Sequence, residues 1–175
     1  MTPASRAPGA LFLDAEALYR ELLRGVQGLR GHDGRLVGVT SGGAWLAERL
    51  ARDLDLLDRF GTIDVSFYRD DYAKKGLHPD VKPTHIRFPV DGATVVLVDD
   101  VLQTGRTTRA AINVLFDYGR PAAIRLAALA DRGGRELPVA ADFVGTRATL
   151  AANQSLCLQR DASGQLSLTI EEDNA

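Results

Sequence analysis

Cysteine is almost absent from this chain. Cys157 is the single one among 175 residues, which excludes an internal disulfide and with it the disulfide-stapled class of small secreted folds. It lies in Leu156-Cys157-Leu158, an apolar run that predicts a buried thiol rather than a nucleophile. The three histidines, His32, His78 and His85, are too scattered for a metal-ligand pattern. An excess of one charge is missing too: 21 Lys and Arg against 23 Asp and Glu leave −2. No global basic field therefore advertises nucleic acid. No apolar run approaches the ~18 residues of a membrane span. Met1 to Ala10 contains no apolar signal-peptide core; a cytoplasmic protein without membrane partners is the expectation. Also absent are the Gly-Lys-Ser/Thr of a Walker loop, the Gly-x-Gly-x-x-Gly dinucleotide turn and the Gly-x-Ser-x-Gly elbow.

What remains is ordinary globular composition, 45% hydrophobic and 25% charged, enough for one domain with a real core. Residues 1–10 are Pro/Ala-rich and expected to be disordered, 11–170 form a single domain, and 171–175 read as an acidic tail. Asp14 is a candidate N-cap for a helix reaching Gly25–Gly28, with Leu18, Leu22 and Val26 on one face. Strands are expected at Arg35–Thr40, Thr62–Tyr68, Thr94–Asp99, Ala123–Ala130, Ala141–Gly145, Leu156–Arg160 and Leu166–Ile170. Helices are expected at Ala44–Leu54 and Thr107–Tyr118, with Trp45 and Tyr118 as core candidates. Strands alternating with helices predict an α/β fold with a largely parallel sheet. Arg69 to His85, long and charged, has room for a mobile loop or small hairpin.

One run carries most of the functional information: Val95-Val96-Leu97-Val98-Asp99-Asp100-Val101-Leu102-Gln103-Thr104-Gly105-Arg106-Thr107-Thr108. It reads as a buried strand, then two carboxylates, then a Thr-Gly loop opening a helix. In open α/β sheets, ligands bind at the carboxyl ends of strands. The unpaired N–H groups and dipole of a helix start attract phosphate. Gly105 lets backbone approach closely, and the threonine hydroxyls add donors. Paired carboxylates suit a ribose diol and a divalent cation beside that phosphate. Three further polar segments, Ser41-Gly42-Gly43, Tyr68-Arg69-Asp70-Asp71 and Asp131-Arg132-Gly133, each follow an expected strand, so they should gather at the same sheet edge.

The run resembles the phosphoribosyl pyrophosphate (PRPP) signature of the type I phosphoribosyltransferases. Asp64-Val65-Ser66-Phe67-Tyr68-Arg69-Asp70-Asp71, Phe116-Asp117-Tyr118-Gly119-Arg120-Pro121 and Asp131-Arg132-Gly133-Gly134-Arg135-Glu136-Leu137-Pro138 narrow this. They are similar to the PyrR family of bifunctional pyrimidine operon regulators and uracil phosphoribosyltransferases. The resemblance implies a type I phosphoribosyltransferase core, with helices flanking the sheet, a flexible loop at 69–85 and a small hood. It implies conversion of uracil and PRPP to UMP and pyrophosphate with Mg2+, in a homo-dimer or larger homo-oligomer. It also implies binding of pyrimidine operon leader RNA, favoured by UMP.

Residue by residue, the resemblance places the ribose and 5-phosphate along the run from Val95 to Thr108. Thr40, Ser41, Gly42 and Gly43 become the pyrophosphate loop. Asp131, Arg132 and Arg135 lie at the uracil end. Asp99, Asp100 and Arg69 are the catalytic candidates, the two aspartates also facing the metal, mostly through PRPP and water. Two departures stand out. Many family members carry arginine where this chain has Gly42, and residues 145–155 follow the family pattern poorly. Arg20, Arg24, Arg30 and Arg35 alternate with Asp14, Glu16, Glu21 and Asp33, so no basic stripe supports RNA binding. An RNA-binding regulator with vestigial activity, and a transferase for another base, are the alternatives.

Overall fold

The computed structural model describes residues 13–65 and 83–172. Arg69 and most of the expected loop, together with the 1–10 segment, lie outside the described residues.

Helix α1 (Ala15–Leu29) starts where Asp14 accepts a hydrogen bond from the Ala17 N–H at 2.9 Å, and Tyr19, Leu22 and Val26 are buried beneath it. Strand β1 (Arg35–Val39) leads into helix α2 (Gly42–Asp53). A turn of 3-10 helix at Leu57–Arg59 precedes β2 (Phe60–Ile63), and β3 is the short His85–Ile86. Then follow β4 (Thr94–Leu102), α3 (Arg106–Tyr118), β5 (Ala123–Asp131) and β6 (Phe143–Arg147). Strands β7 (Gln154–Arg160) and β8 (Leu166–Glu172) form a separate antiparallel pair.

The main sheet has the order β3-β2-β1-β4-β5-β6. Every neighbouring pair in it is parallel except β2 with β3. It is covered on both faces, so its central strands are continuous apolar runs. Val96 and Val98 face a core built with Leu22 and Val26 of α1, Leu46 and Leu50 of α2, and Leu158 and Leu166 of the hairpin. Val95 and Leu97 face the opposite core, with Ala111 and Leu115 of α3. The β7–β8 hairpin packs on the α1 side through Leu158 and Leu166.

Several expected boundaries move, each for a tertiary reason. Strand β2 starts at Phe60, two residues before the expected Thr62, in register with Leu36 to Val39, and residues 66–68 of the expected strand lie outside the described residues. Strand β4 extends past Asp99 to Leu102, held by the pairs Val101 with Ala130 and Leu102 with Asp131. The acid pair is therefore inside the strand, not at its end. Helix α2 begins at Gly42, two residues early, where Gly43 packs on the Val98 backbone and Gly42 against the Asp100 side chain. Glu171 and Glu172, expected in a tail, close the pairing of β8 with Ser155 and Gln154. Tyr118 is not core: it is 47% exposed. Trp45 is half-buried, with the Arg160 guanidinium 5.0 Å from its ring centre. Cys157 is likewise half-buried, because Leu156 and Leu158 take the inward positions of β7 and alternation sends the thiol the other way.

Candidate functional site

The chain leaves β1 for β2 on one side of the sheet and returns to β4 on the other. This reversal opens a crevice at the carboxyl ends of β1 and β4. Two loops flank it: Thr40 to Gly43, which enters α2, and Gln103 to Gly105, which enters α3.

Close approach decides which residues these loops can hold. A β-carbon on Gly43 would meet the Val98 carbonyl oxygen, and one on Gly42 would strike the Asp100 carboxylate. Backbone thus blocks any larger residue at Gly43, whereas at Gly42 a larger residue would have to displace the Asp100 side chain. The Asp100 carboxylate consequently lies beside the positive end of α2, a favourable place for negative charge. Asp100 also accepts the Val101 N–H at 2.8 Å, and the Asp99 carboxylate accepts the Asp100 N–H at 2.9 Å. Asp99 is 5% exposed. Gly105 has φ +90°, a left-handed conformation that favours glycine, and Leu137 and Val139 pack against that position.

Asp99, Val101 and Leu102 to Thr108 line a cavity of about 370 Å³, together with Glu136. Its polar wall is largely the phosphate run expected from sequence. Thr108 is 2% exposed, and its hydroxyl oxygen is buried without a hydrogen-bond partner. A buried hydroxyl without a partner costs roughly 1–3 kcal/mol. Such a group on the wall of an open cavity suits a bound acceptor such as phosphate.

A second cavity of about 350 Å³ is lined by Asp131, Arg132, Gly133, Arg135, Arg147, Ala148 and Thr149. Asp131 and Arg135 pair bidentately, at 2.9 Å and 2.7 Å. Arg147 adds a contact to the Asp131 carboxylate at 3.0 Å, and the Gly133 N–H another at 2.9 Å. These interactions, led by the Arg135 hydrogen bond and opposed by burial, hold the Asp131 carboxyl below the usual carboxylate range. The cavities adjoin, because Asp131 is the strand neighbour of Leu102.

The structure thus gathers the Asp99–Thr108 run and the Thr40–Gly43 loop at one crevice, with the Asp131–Arg135 segment beside it. Sequence reading missed Glu136, whose carboxylate meets the Arg106 guanidinium at 2.8 Å. It also missed Arg147. Both were accessible through one rule: polar residues at the carboxyl end of a strand, or shortly after it, face the ligand edge.

Mg2+ prefers one or two carboxylates, with substrate phosphates and water completing its octahedron. The Asp99–Asp100 pair beside a phosphate cavity fits that donor set. Among the described residues no cluster of three or more His, Cys, Asp or Glu could hold a metal by itself.

Comparison with known proteins converges on one family. Residues 10–159 match the phosphoribosyl transferase domain. A Bifunctional protein PyrR from Ralstonia nicotianae is 53% identical over 156 residues, covering 87% of this chain and 89% of that protein. The Bifunctional protein PyrR of Nitrosococcus oceani is 45% identical over 157 residues, 86% of this chain and 89% of the relative. Among solved structures, a purine phosphoribosyltransferase from Pyrococcus horikoshii superposes with a TM-score of 0.53 at 25% identity, covering 77% of this chain and 82% of that one. A Trypanosoma cruzi hypoxanthine phosphoribosyl transferase gives 0.57 at 24%, covering 85% and 83%.

Proposed function

Because this chain belongs to the phosphoribosyl transferase family, and within it to the PyrR family, we propose that it transfers the phosphoribosyl group of PRPP to uracil, releasing pyrophosphate and UMP. The observation that carries this reading is the cavity of about 370 Å³ beside the β1/β4 reversal, with Asp99 in its wall and the unpartnered Thr108 hydroxyl beneath it.

In the reaction, the bond from the sugar C1 to the pyrophosphate oxygen breaks, a bond from C1 to uracil N1 forms, and the N1 proton is released. Positive charge builds on the ribose ring as the leaving group departs. The loop from Thr104 to Thr108 anchors the 5-phosphate and so fixes C1. Asp99 and Asp100 set negative charge against the ring and hold its hydroxyls. Thr40 to Gly43 receives the pyrophosphate with backbone N–H groups. Most of the acceleration then comes from positioning and fixed electrostatics. Asp99 and Asp100, together with the substrate, would hold Mg2+, which would supply positive charge to offset that of the pyrophosphate. The segment from Asp131 to Arg135 receives the base, and Arg69 assists from the loop outside the described residues.

The test is PRPP-dependent product formation with a panel of bases, with and without chelator. UMP is the expected product, and chelator abolishes turnover. Turnover of purines but not uracil would overturn the base assignment, and full activity in chelator would overturn the metal role.

The relatives' name, Bifunctional protein PyrR, supports a second activity beside transfer; we infer that it is binding of pyrimidine operon leader RNA, tighter with UMP, by a cytoplasmic homo-oligomer. Such binding weakens with salt, at a slope near −0.7 per phosphate contact on single strands. A gel-shift series on the leader of the organism's own pyrimidine genes checks it. Affinity no better than for an unrelated hairpin, with or without UMP, would leave an enzyme only.

A further inference from the structure

The loop from Arg132 to Val139 does more than border the base end. It takes up the carbonyl oxygens of the phosphate loop one after another. The Leu102 carbonyl accepts the Arg132 N–H at 3.0 Å, and the Thr104 carbonyl accepts the N–H groups of Glu136 and Leu137 at 3.0 Å and 3.1 Å. Between them, the Gln103 carbonyl accepts from the Arg135 guanidinium at 2.7 Å. Arg135 is the one side chain in this series.

Its guanidinium is committed to the protein. The Nε–H donates to the Val139 carbonyl at 2.7 Å, one Nη donates to Gln103 and to the Asp131 carboxylate, and the other Nη donates to Asp131. Those are four of the five N–H donors an arginine owns. An arginine so engaged is a poor candidate for reading a base edge, although the resemblance alone puts it at the uracil end.

The consequence follows from peptide geometry. A trans peptide is planar, with its carbonyl oxygen and the next residue's N–H on opposite sides. Among the described residues, the cis peptide is Thr40–Ser41, away from this loop. Holding the carbonyls of Leu102, Gln103 and Thr104 toward the 132–139 loop therefore turns the N–H groups of Gln103, Thr104 and Gly105 the other way, toward the cavity these residues line. The same bonds keep three carbonyl oxygens, which would repel an anion, out of that cavity.

We propose that Arg135 is a positioning residue of the phosphate loop: by holding the Gln103 carbonyl it aims the Thr104 N–H at the 5-phosphate, and Asp131 is the anchor that keeps it there. The base-side loop thereby sets affinity for phosphate. This rests on the phosphate-loop reading above.

Three ligands separate the possibilities by titration calorimetry: ribose 5-phosphate has phosphate and no base, uridine has base and no phosphate, and UMP has both. In Arg135→Gln, affinity for ribose 5-phosphate and UMP falls about tenfold, the scale of one hydrogen bond to a charged group, while uridine binds as before. In steady state, KM for PRPP rises and KM for uracil does not. Arg135→Lys keeps the charge but cannot span Gln103, Val139 and Asp131 together, so it loses as much. Uridine affinity falling alongside that of UMP would make Arg135 a base contact and overturn the proposal. So would full rescue by lysine, or a lowered Tm with all three affinities intact. If wild-type protein binds uridine but not ribose 5-phosphate, the phosphate-loop reading itself fails. If wild type binds ribose 5-phosphate and Arg135→Gln binds it equally, only the role of Arg135 fails.

Discussion

The two ends of the crevice are made in opposite ways. At the end proposed to take phosphate the wall is largely backbone: the Gln103–Gly105 turn, the start of α3 and the glycines at the start of α2. Beside it, the wall is made of side chains locked in an ion cluster, Asp131 with Arg135 and Arg147. A backbone cradle tolerates few residue types, because close approach and left-handed φ select glycine, so it leaves a short, dense signature in sequence. An ion cluster is assembled from residues that look like any charged surface, and its meaning appears only when the partners meet.

The sharpest test of this contrast is Asp100→Asn. It preserves size and leaves the backbone cradle intact while removing charge opposite the developing cation. Turnover should fall about a hundredfold, the usual loss for one aimed electrostatic contact, with Tm near wild type. Wild-type kcat would place the reacting sugar elsewhere.

Gly42→Ala comes next. The added methyl strikes the Asp100 carboxylate, and overpacking at such contacts costs ~1–3 kcal/mol. Turnover should drop by roughly tenfold as Asp100 is displaced. Equal or greater activity would show that the glycine is not what seats the acid pair.

Thr108→Val separates binding from stability. The threonine hydroxyl is buried without a partner, so a near-isosteric methyl should leave Tm unchanged or raise it slightly. PRPP affinity should fall by about tenfold through loss of a hydrogen bond to a charged ligand. A large drop in Tm would mean that the hydroxyl serves the fold.

The smallest effect lies at the base end and depends on pH. Arg135, aided by the Gly133 N–H and Arg147, lowers the Asp131 carboxyl below its ordinary value near ~3.9. The unfolded chain therefore takes up this proton first as pH falls. The stabilisation is complete above about pH 5 and is lost as acid reaches the folded carboxyl, below about pH 4. Asp131→Asn should flatten that acid limb in a series of thermal melts from pH 6 to pH 2. An unchanged limb would mean that the cluster contributes nothing measurable to stability.

How far the sequence alone reaches can be judged from particular residues. The run from Val95 to Thr108 shows its strand, its acid pair and its phosphate turn because apolar periodicity and glycine placement are local properties. The amphipathic faces of α1 and α3 are legible for the same reason. The extra three residues of β4, the early start of β2 and the pairing of Glu171 and Glu172 were not legible, since strand bounds are set by the partner strand. Tyr118 followed the helical period yet lies on the exposed face, because which turn of α3 meets the sheet depends on where the sheet ends.

By itself, then, the sequence determined an α/β chain with a Thr-Gly turn at a helix start and an adjoining acid pair, because those features arise within a few consecutive residues. Only tertiary structure decided that Gly42 sits against Asp100, that Thr108 keeps an unpartnered hydroxyl beneath the cavity, and that Arg135 reaches across to the carbonyl of Gln103. Each of these joins residues that the chain carries apart and the strand order brings back together.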